Sequence, residues 1–205
     1  MRIEDVLSLG PVMPVVTIDD AAAAVPLARA LAAGGVRAVE ITLRTPAALE
    51  AIRAVAGESD VVVGAGTVLR PADFRAAALA GARFAVSPGA TPALLDAGAE
   101  SGLPYLPAIA TPGELMAGLE RGFSAFKFFP AESIGGRAAL RALAGPFPEA
   151  RFCATGGIDA ANAPDYLALA NVPCVGGSWV APREALRSGD FVRIEALARA
   201  AAALR

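Results

Sequence analysis

Apolar residues recur in two periods along the chain. Short β-branched or aromatic runs occupy residues 12–18, 38–43, 61–63, 84–87, 105–109, 125–129, 151–154 and 174–176. Between them lie alanine-rich stretches of helical character at residues 21–33, 46–56, 71–80, 92–100, 112–121, 137–143, 162–169 and 191–204. Proline stands at or near the start of four of these, after Thr45, Arg70, Thr91 and Thr111. That is where a helix tolerates proline best. Gly34, Gly35, Gly81, Gly102 and Gly122 stand where helices should stop. A further short helix over residues 3–9 is expected to cap one end of the fold. Strand and helix alternate eight times, and the strands are too apolar to face water. The pattern predicts a parallel sheet covered by helices. Eight units favour a closed (β/α)8 barrel of the TIM type, an α/β fold in one domain over residues 1–205. A doubly wound open sheet is the alternative.

A barrel of this kind carries its site at the C-terminal ends of its strands. Polar and special residues gather there. Glu40 and Arg44 lie at the end of the second run, Gly64-Ala65-Gly66-Thr67 after the third and Ser87-Pro88-Gly89 at the fourth. Lys127 lies in the sixth, Thr155-Gly156-Gly157 follows the seventh and Gly176-Gly177-Ser178 closes the eighth.

Composition narrows the chemistry. The chain has 205 residues, 55% of them hydrophobic and 19% charged, which excludes a disordered chain. A net charge of −2 offers no basic footprint for nucleic acid. No apolar run reaches the ~20 residues that span a bilayer, and the apolar stretch of the N-terminus is too short for a signal peptide. Two cysteines are too few for a disulfide scaffold, so a reducing cytoplasm is the expected location. With no histidine, Ser–His and Cys–His pairs, histidine-dependent zinc sites and histidine acid/base catalysis are excluded. Of the 18 basic residues only Lys127 is a lysine. Arginine does not lose its proton in a protein, whereas lysine does.

Lys127 sits in Phe126-Lys127-Phe128-Phe129-Pro130, and strand alternation puts Lys127 and Phe129 on one face. A lysine inside a barrel must be paired or deprotonated. A free amine in a pocket is what imine formation with a ketone requires; a structural ion pair is the other reading. In Val39-Glu40-Ile41-Thr42-Leu43-Arg44 the same alternation turns Glu40 and Thr42 inward. Glu40 is then a salt-bridge partner for Lys127, a proton shuttle, or both. Arg44 suits a bidentate grip on a substrate carboxylate. The paired glycines after the last two strands fit a phosphate held by backbone N–H groups. Cys153 and Cys174 are read as small buried hydrophobes. Trp179 is either packing or pocket rim.

The runs VEITLRT, GAGTVL, AVSPG, FKFFPAE, TGGI and VGGSW, in this order and spacing, resemble the 2-keto-3-deoxy-6-phosphogluconate (KDPG) aldolases, a class I aldolase family. The resemblance covers nearly the whole chain. It implies a homotrimer of (β/α)8 barrels that uses no cofactor or metal. It implies reversible cleavage of KDPG to pyruvate and glyceraldehyde 3-phosphate in the Entner–Doudoroff pathway, and in many members cleavage of 2-keto-4-hydroxyglutarate. On this resemblance Lys127 forms the imine and Glu40 is the general acid/base. Arg44 and Thr67 hold the pyruvyl carboxylate, and Pro88 and Phe129 line the pyruvate pocket. Thr155 meets the substrate hydroxyl, and Gly156, Gly157, Gly177 and Ser178 surround the phosphate. Ala108 and Ala154 stand where the family commonly has glycine and proline. A related aldolase for the galactonate epimer, or a non-catalytic sugar-phosphate-binding barrel, is the competing reading.

Overall fold

The structure is a computed structural model and describes residues 1–58 and 60–204. Its strands are β1 (Val12–Val16), β2 (Ala38–Thr42), β3 (Val62–Gly66), β4 (Phe84–Val86), β5 (Tyr105–Leu106), β6 (Ala108–Ile109), β7 (Ala125–Phe128), β8 (Arg151–Thr155) and β9 (Cys174–Gly177). They pair in parallel in the order β5-β4-β3-β2-β1-β9-β8-β7-β6. Both ends of that order belong to the run 105–109, which Pro107 divides. Its first half pairs with β4 and its second half with β7. The chain thus closes the sheet on itself as a barrel of eight staves, and the open doubly wound sheet is ruled out. Pro107 has no N–H for the ladder. Its carbonyl still accepts from the Lys127 N–H at 2.9 Å, which fixes the height of Lys127 in the barrel.

The helices are α1 (Ile3–Leu7), α2 (Ala24–Ala33), α3 (Ala48–Glu58), α4 (Pro71–Leu79), α5 (Pro92–Glu100), α6 (Pro112–Leu119), α7 (Gly136–Ala144), α8 (Ala163–Leu167), α9 (Arg183–Ser188) and α10 (Phe191–Ala202). Pro71, Pro92 and Pro112 open their helices. Thr111 begins α6 with a reciprocal cap: its hydroxyl accepts from the Glu114 N–H at 3.3 Å, and Glu114 Oε2 accepts from the Thr111 N–H at 2.9 Å. Pro46 stays in the turn ahead of α3. Two elements lack a strong apolar period in the sequence and emerge only here: the six-residue α9, and a 3-10 turn over Glu132–Ile134.

The third strand runs through Gly66, well past the apolar run at 61–63. Glycine is a poor strand former. Here the ladder to β2, with Ala38 opposite Val62 and Thr42 opposite Gly66, overrides that preference. The missing side chain is also needed: a Cβ on Gly64 would lie 2.3 Å from the Phe84 ring.

Side chains alternate across every long stave. Val39, Ile41, Phe126, Phe128, Phe152 and Ala154 point outward into the layer beneath the helices. Met13, Ala38, Phe84, Val86, Ala125, Cys153 and Cys174 point inward, and α1 plugs that end with Ile3, Val6 and Leu7. The cap expected near residues 3–9 is therefore present, and it seals the N-terminal mouth of the barrel. Both cysteines are buried and face each other from β8 and β9. The opposite mouth is left for polar residues.

The first and last helical units lock together where α2 meets α10. A Cβ on Gly34 would stand 2.4 Å from the Ala198 Cβ and 2.8 Å from the backbone of Glu195 and Arg199. Backbone cannot yield cheaply. Gly34→Ala is expected to destabilise the fold by about 1–3 kcal/mol, lowering the melting temperature by roughly 2–10 °C. Gly10→Ala, where nothing lies within 4 Å, is the control and should leave thermal unfolding almost unmoved.

Candidate active site

The C-terminal mouth of the barrel opens into a cavity of about 500 Å³. Lys127 lies at its floor. β7 fixes the lysine from both sides, with Ala108 of β6 and Cys153 of β8 as its lateral neighbours. Outward-pointing Phe126 and Phe128 anchor the strand in the outer core, so the lysine has only the interior to enter. It is 4% exposed, and Glu40 is 2% exposed. The two meet across the barrel, with Lys127 Nζ donating to Glu40 Oε1 at 3.2 Å and Oε2 at 3.3 Å. The Phe129 ring centroid lies 5.4 Å from the same nitrogen.

A buried ion pair of this kind does little for net stability, because desolvating both charges offsets most of their attraction. It does bring a potential nucleophile and a proton acceptor within one hydrogen bond. Glu40 reaches this position only because Gly66 beside it has no side chain. A Cβ there would fall 2.2 Å from Glu40 Oε1. Gly66 is thus part of the site, although its sequence context reads only as a loop glycine.

Above this pair the wall divides into two sides. On one, Arg44 leaves the end of β2 exposed to solvent, and its Nε donates to Thr67 Oγ1 at 3.0 Å. Thr67 carries the one positive φ among the described non-glycine residues, 60°. Such a conformation is costly for a β-branched side chain and recurs at functional sites. On the other side lie Thr155, Gly156, Gly157, Gly176, Gly177 and Ser178. Gly156 and Gly157 have φ of 100° and 77°, which an L side chain rarely adopts. The Ala131 and Glu132 N–H groups donate to the carbonyls of Thr155 and Gly156, holding this segment against the start of the 3-10 turn. Trp179 lines the cavity and also packs on the outer core, so it is both rim and packing. Its ring lies over Gly177, where a Cβ would be 1.7 Å from the indole.

Of the expected site residues, Lys127, Arg44, Phe129, Thr155, Gly156, Gly157, Gly177 and Ser178 all line one cavity. Glu40 and Thr67 stand one hydrogen bond behind it. Pro88 follows β4 at the same barrel mouth, half-buried, and is not among the lining residues. Val15, Thr17, Ile158 and the segment Ala181–Glu184 complete the wall. Arg183 and Glu184 were not legible as site residues, because no apolar period announces α9. The described residues include no group of three or more His, Cys, Asp or Glu side chains placed to hold a metal ion.

Known proteins resemble this chain over nearly its whole length. Residues 3–197 match the family model described as KDPG and KHG aldolase. The 2-dehydro-3-deoxy-phosphogluconate aldolase of Dickeya dadantii is 55% identical over 201 residues, covering 98% of this chain and 94% of that protein. The KHG/KDPG aldolase of Escherichia coli K12 is 54% identical over 199 residues, covering 97% and 93%. A crystal structure of KDPG aldolase from Legionella pneumophila, with pyruvate captured as a covalent carbinolamine intermediate, superposes with a TM-score of 0.97. It is 45% identical, with 99% of each chain covered. The chain belongs to the KDPG and KHG aldolase family.

Proposed function

We propose that this barrel cleaves KDPG to pyruvate and glyceraldehyde 3-phosphate through an imine on Lys127, and 2-keto-4-hydroxyglutarate to pyruvate and glyoxylate by the same route. The observation that carries the mechanism is the buried contact between Lys127 Nζ and Glu40 at the floor of the cavity. Once Glu40 accepts the ammonium proton, the free amine attacks the substrate C2 carbonyl. Glu40 returns that proton to the carbinolamine hydroxyl, which departs as water and leaves a protonated imine that serves as the electron sink. Glu40 takes the proton from the C4 hydroxyl, the C3–C4 bond breaks, and its electrons settle in an enamine as the aldehyde departs. A proton returned from Glu40 to C3 and hydrolysis of the imine release pyruvate and restore Lys127. One carboxylate thus serves each proton step in turn.

The remaining residues are assigned by position. Arg44, steadied by Thr67, takes the keto acid carboxylate through parallel N–H donors. Phe129 and Pro88 bound the pyruvate methyl group. Thr155 meets the C4 hydroxyl; this supports KDPG over the galactonate epimer, for whose aldolases the resemblance implies a small apolar residue. Gly156, Gly157, Gly177 and Ser178 receive the phosphate. No metal or cofactor is assigned a step. A sensor or a phosphate-binding isomerase on this barrel would account for the glycines but gives no role to a lysine and carboxylate paired at the floor. The accompanying reading is that residues 1–205 act as one domain in a cytoplasmic homotrimer serving the Entner–Doudoroff pathway. The resemblance supports the trimer and the pathway, and the count of only two cysteines supports the compartment.

Borohydride with pyruvate is expected to add one pyruvate-derived mass to Lys127, read by peptide mass spectrometry; an unlabelled lysine would refute the imine. Lys127→Arg keeps the charge and loses the sink, so KDPG cleavage should fall by at least about 10⁴-fold, toward the background left by binding alone. Turnover near the parent rate would contradict the assignment. Glu40→Gln should slow cleavage by about 10²–10⁴-fold while slow borohydride labelling persists. Gly66→Ala should fold, because the clash is with a side-chain end, yet lose on the order of 10²-fold in kcat as the carboxylate is pushed off Lys127. Parallel melting curves separate that loss from misfolding.

A further inference from the structure

Arg44 and Arg183 lie in different parts of the cavity wall, Arg44 after β2 and Arg183 at the start of α9. Arg183 is tethered from outside the cavity. The Asp19 carboxylate, just beyond β1, accepts from Arg183 Nε at 3.0 Å and Nη2 at 2.5 Å, and from Arg187 Nε at 2.9 Å. Shared between two guanidinium groups, Asp19 has its carboxyl drawn down to about 2, first by the Arg183 hydrogen bonds and then by Arg187. A guanidinium carries five N–H donors in a rigid plane. The fork to Asp19 uses one on Nε and one on Nη2. The Nη1 edge has no acceptor among the described residues. The nearby Glu184, which lines the same wall, is paired with Arg193 at 3.2 Å.

We infer that Arg183, held in place by Asp19, determines specificity for the phosphate monoester end of the substrate, supplying a side-chain cation beside the glycine and serine donors of the same wall. This rests on the aldolase reading above. The tether gives the arginine its value. An unrestrained guanidinium on the rim would lose side-chain freedom on binding, whereas this one already has its plane set. A phosphate takes up the Nη1 edge while Asp19 keeps the other.

Arg183→Gln, Arg183→Lys and Asp19→Asn in the full chain test the inference. Arg183→Gln should raise the KM for KDPG about tenfold with kcat little changed, the size expected for one partly exposed charge-assisted contact. Binding of inorganic phosphate, followed by calorimetry, should weaken by a similar factor. Pyruvate-dependent borohydride labelling of Lys127 should proceed at the parent rate. Arg183→Lys should recover part of the loss. Asp19→Asn, which leaves the cation and loosens its tether, should give a smaller rise in KM. Unchanged KM and phosphate affinity in Arg183→Gln would overturn the inference, making the arginine a strut. A parallel loss of pyruvate labelling would also overturn it, because the effect would then not be confined to phosphate. A parent protein that pyruvate does not label would refute the aldolase reading instead, and phosphate affinity would still decide the role of Arg183.

Discussion

An amine and a carboxylate, both almost wholly covered at the floor of an open cavity, set the terms for the rest of this molecule. Lys127 and Glu40 come from staves on opposite sides of the barrel and meet with both side chains almost wholly covered. Neither charge would be tolerable there alone. Their separation by one hydrogen bond requires β2 and β7 to be held at a fixed height and distance. The ladder of β2 with β3, the Pro107 carbonyl on the Lys127 N–H, and the aromatic outer face of β7 all contribute to that placement.

The barrel meets this demand by stacking its interior in layers of different chemistry. The α1 plug, Met13, Phe84 and the two thiols fill the N-terminal half and exclude solvent from below. The ion pair lies above them, and the open mouth above that is lined by threonine, serine and glycine. Because the staves alternate strictly, one strand serves two purposes: Phe126 and Phe128 bind the helical layer while Lys127 faces the reaction. A one-residue slip in β7 would put the lysine under the helices and a phenylalanine in the site.

Glycine shapes the site as much as any polar group does. Gly66 makes room for the Glu40 carboxylate, Gly176 for the Thr155 side chain and Gly177 for the Trp179 ring. At Gly156 and Gly157 the requirement is backbone conformation, a left-handed turn that carries the chain around the cavity edge. These are two separate reasons for the same residue type. At Gly66 and Gly176 the first is visible only through a neighbour from another strand.

The alternation of short apolar runs with proline-led helices, the inward phase of Glu40 and Lys127, and the gathering of special residues at strand ends were all legible from local order. Periods of two and of three to four residues are properties of consecutive positions. A lone lysine among arginines and the lack of histidine likewise narrowed the chemistry without coordinates. Tertiary structure decided what depends on distant pairs. It split the fifth run at Pro107 so that its halves join different neighbours and close the ring, and it extended β3 through glycines that local preference would leave as loop. It also set Gly66 beside Glu40, and it brought Asp19 to Arg183 across 164 residues of chain. Such contacts are fixed by packing between elements remote in order, and no window of neighbouring residues contains them.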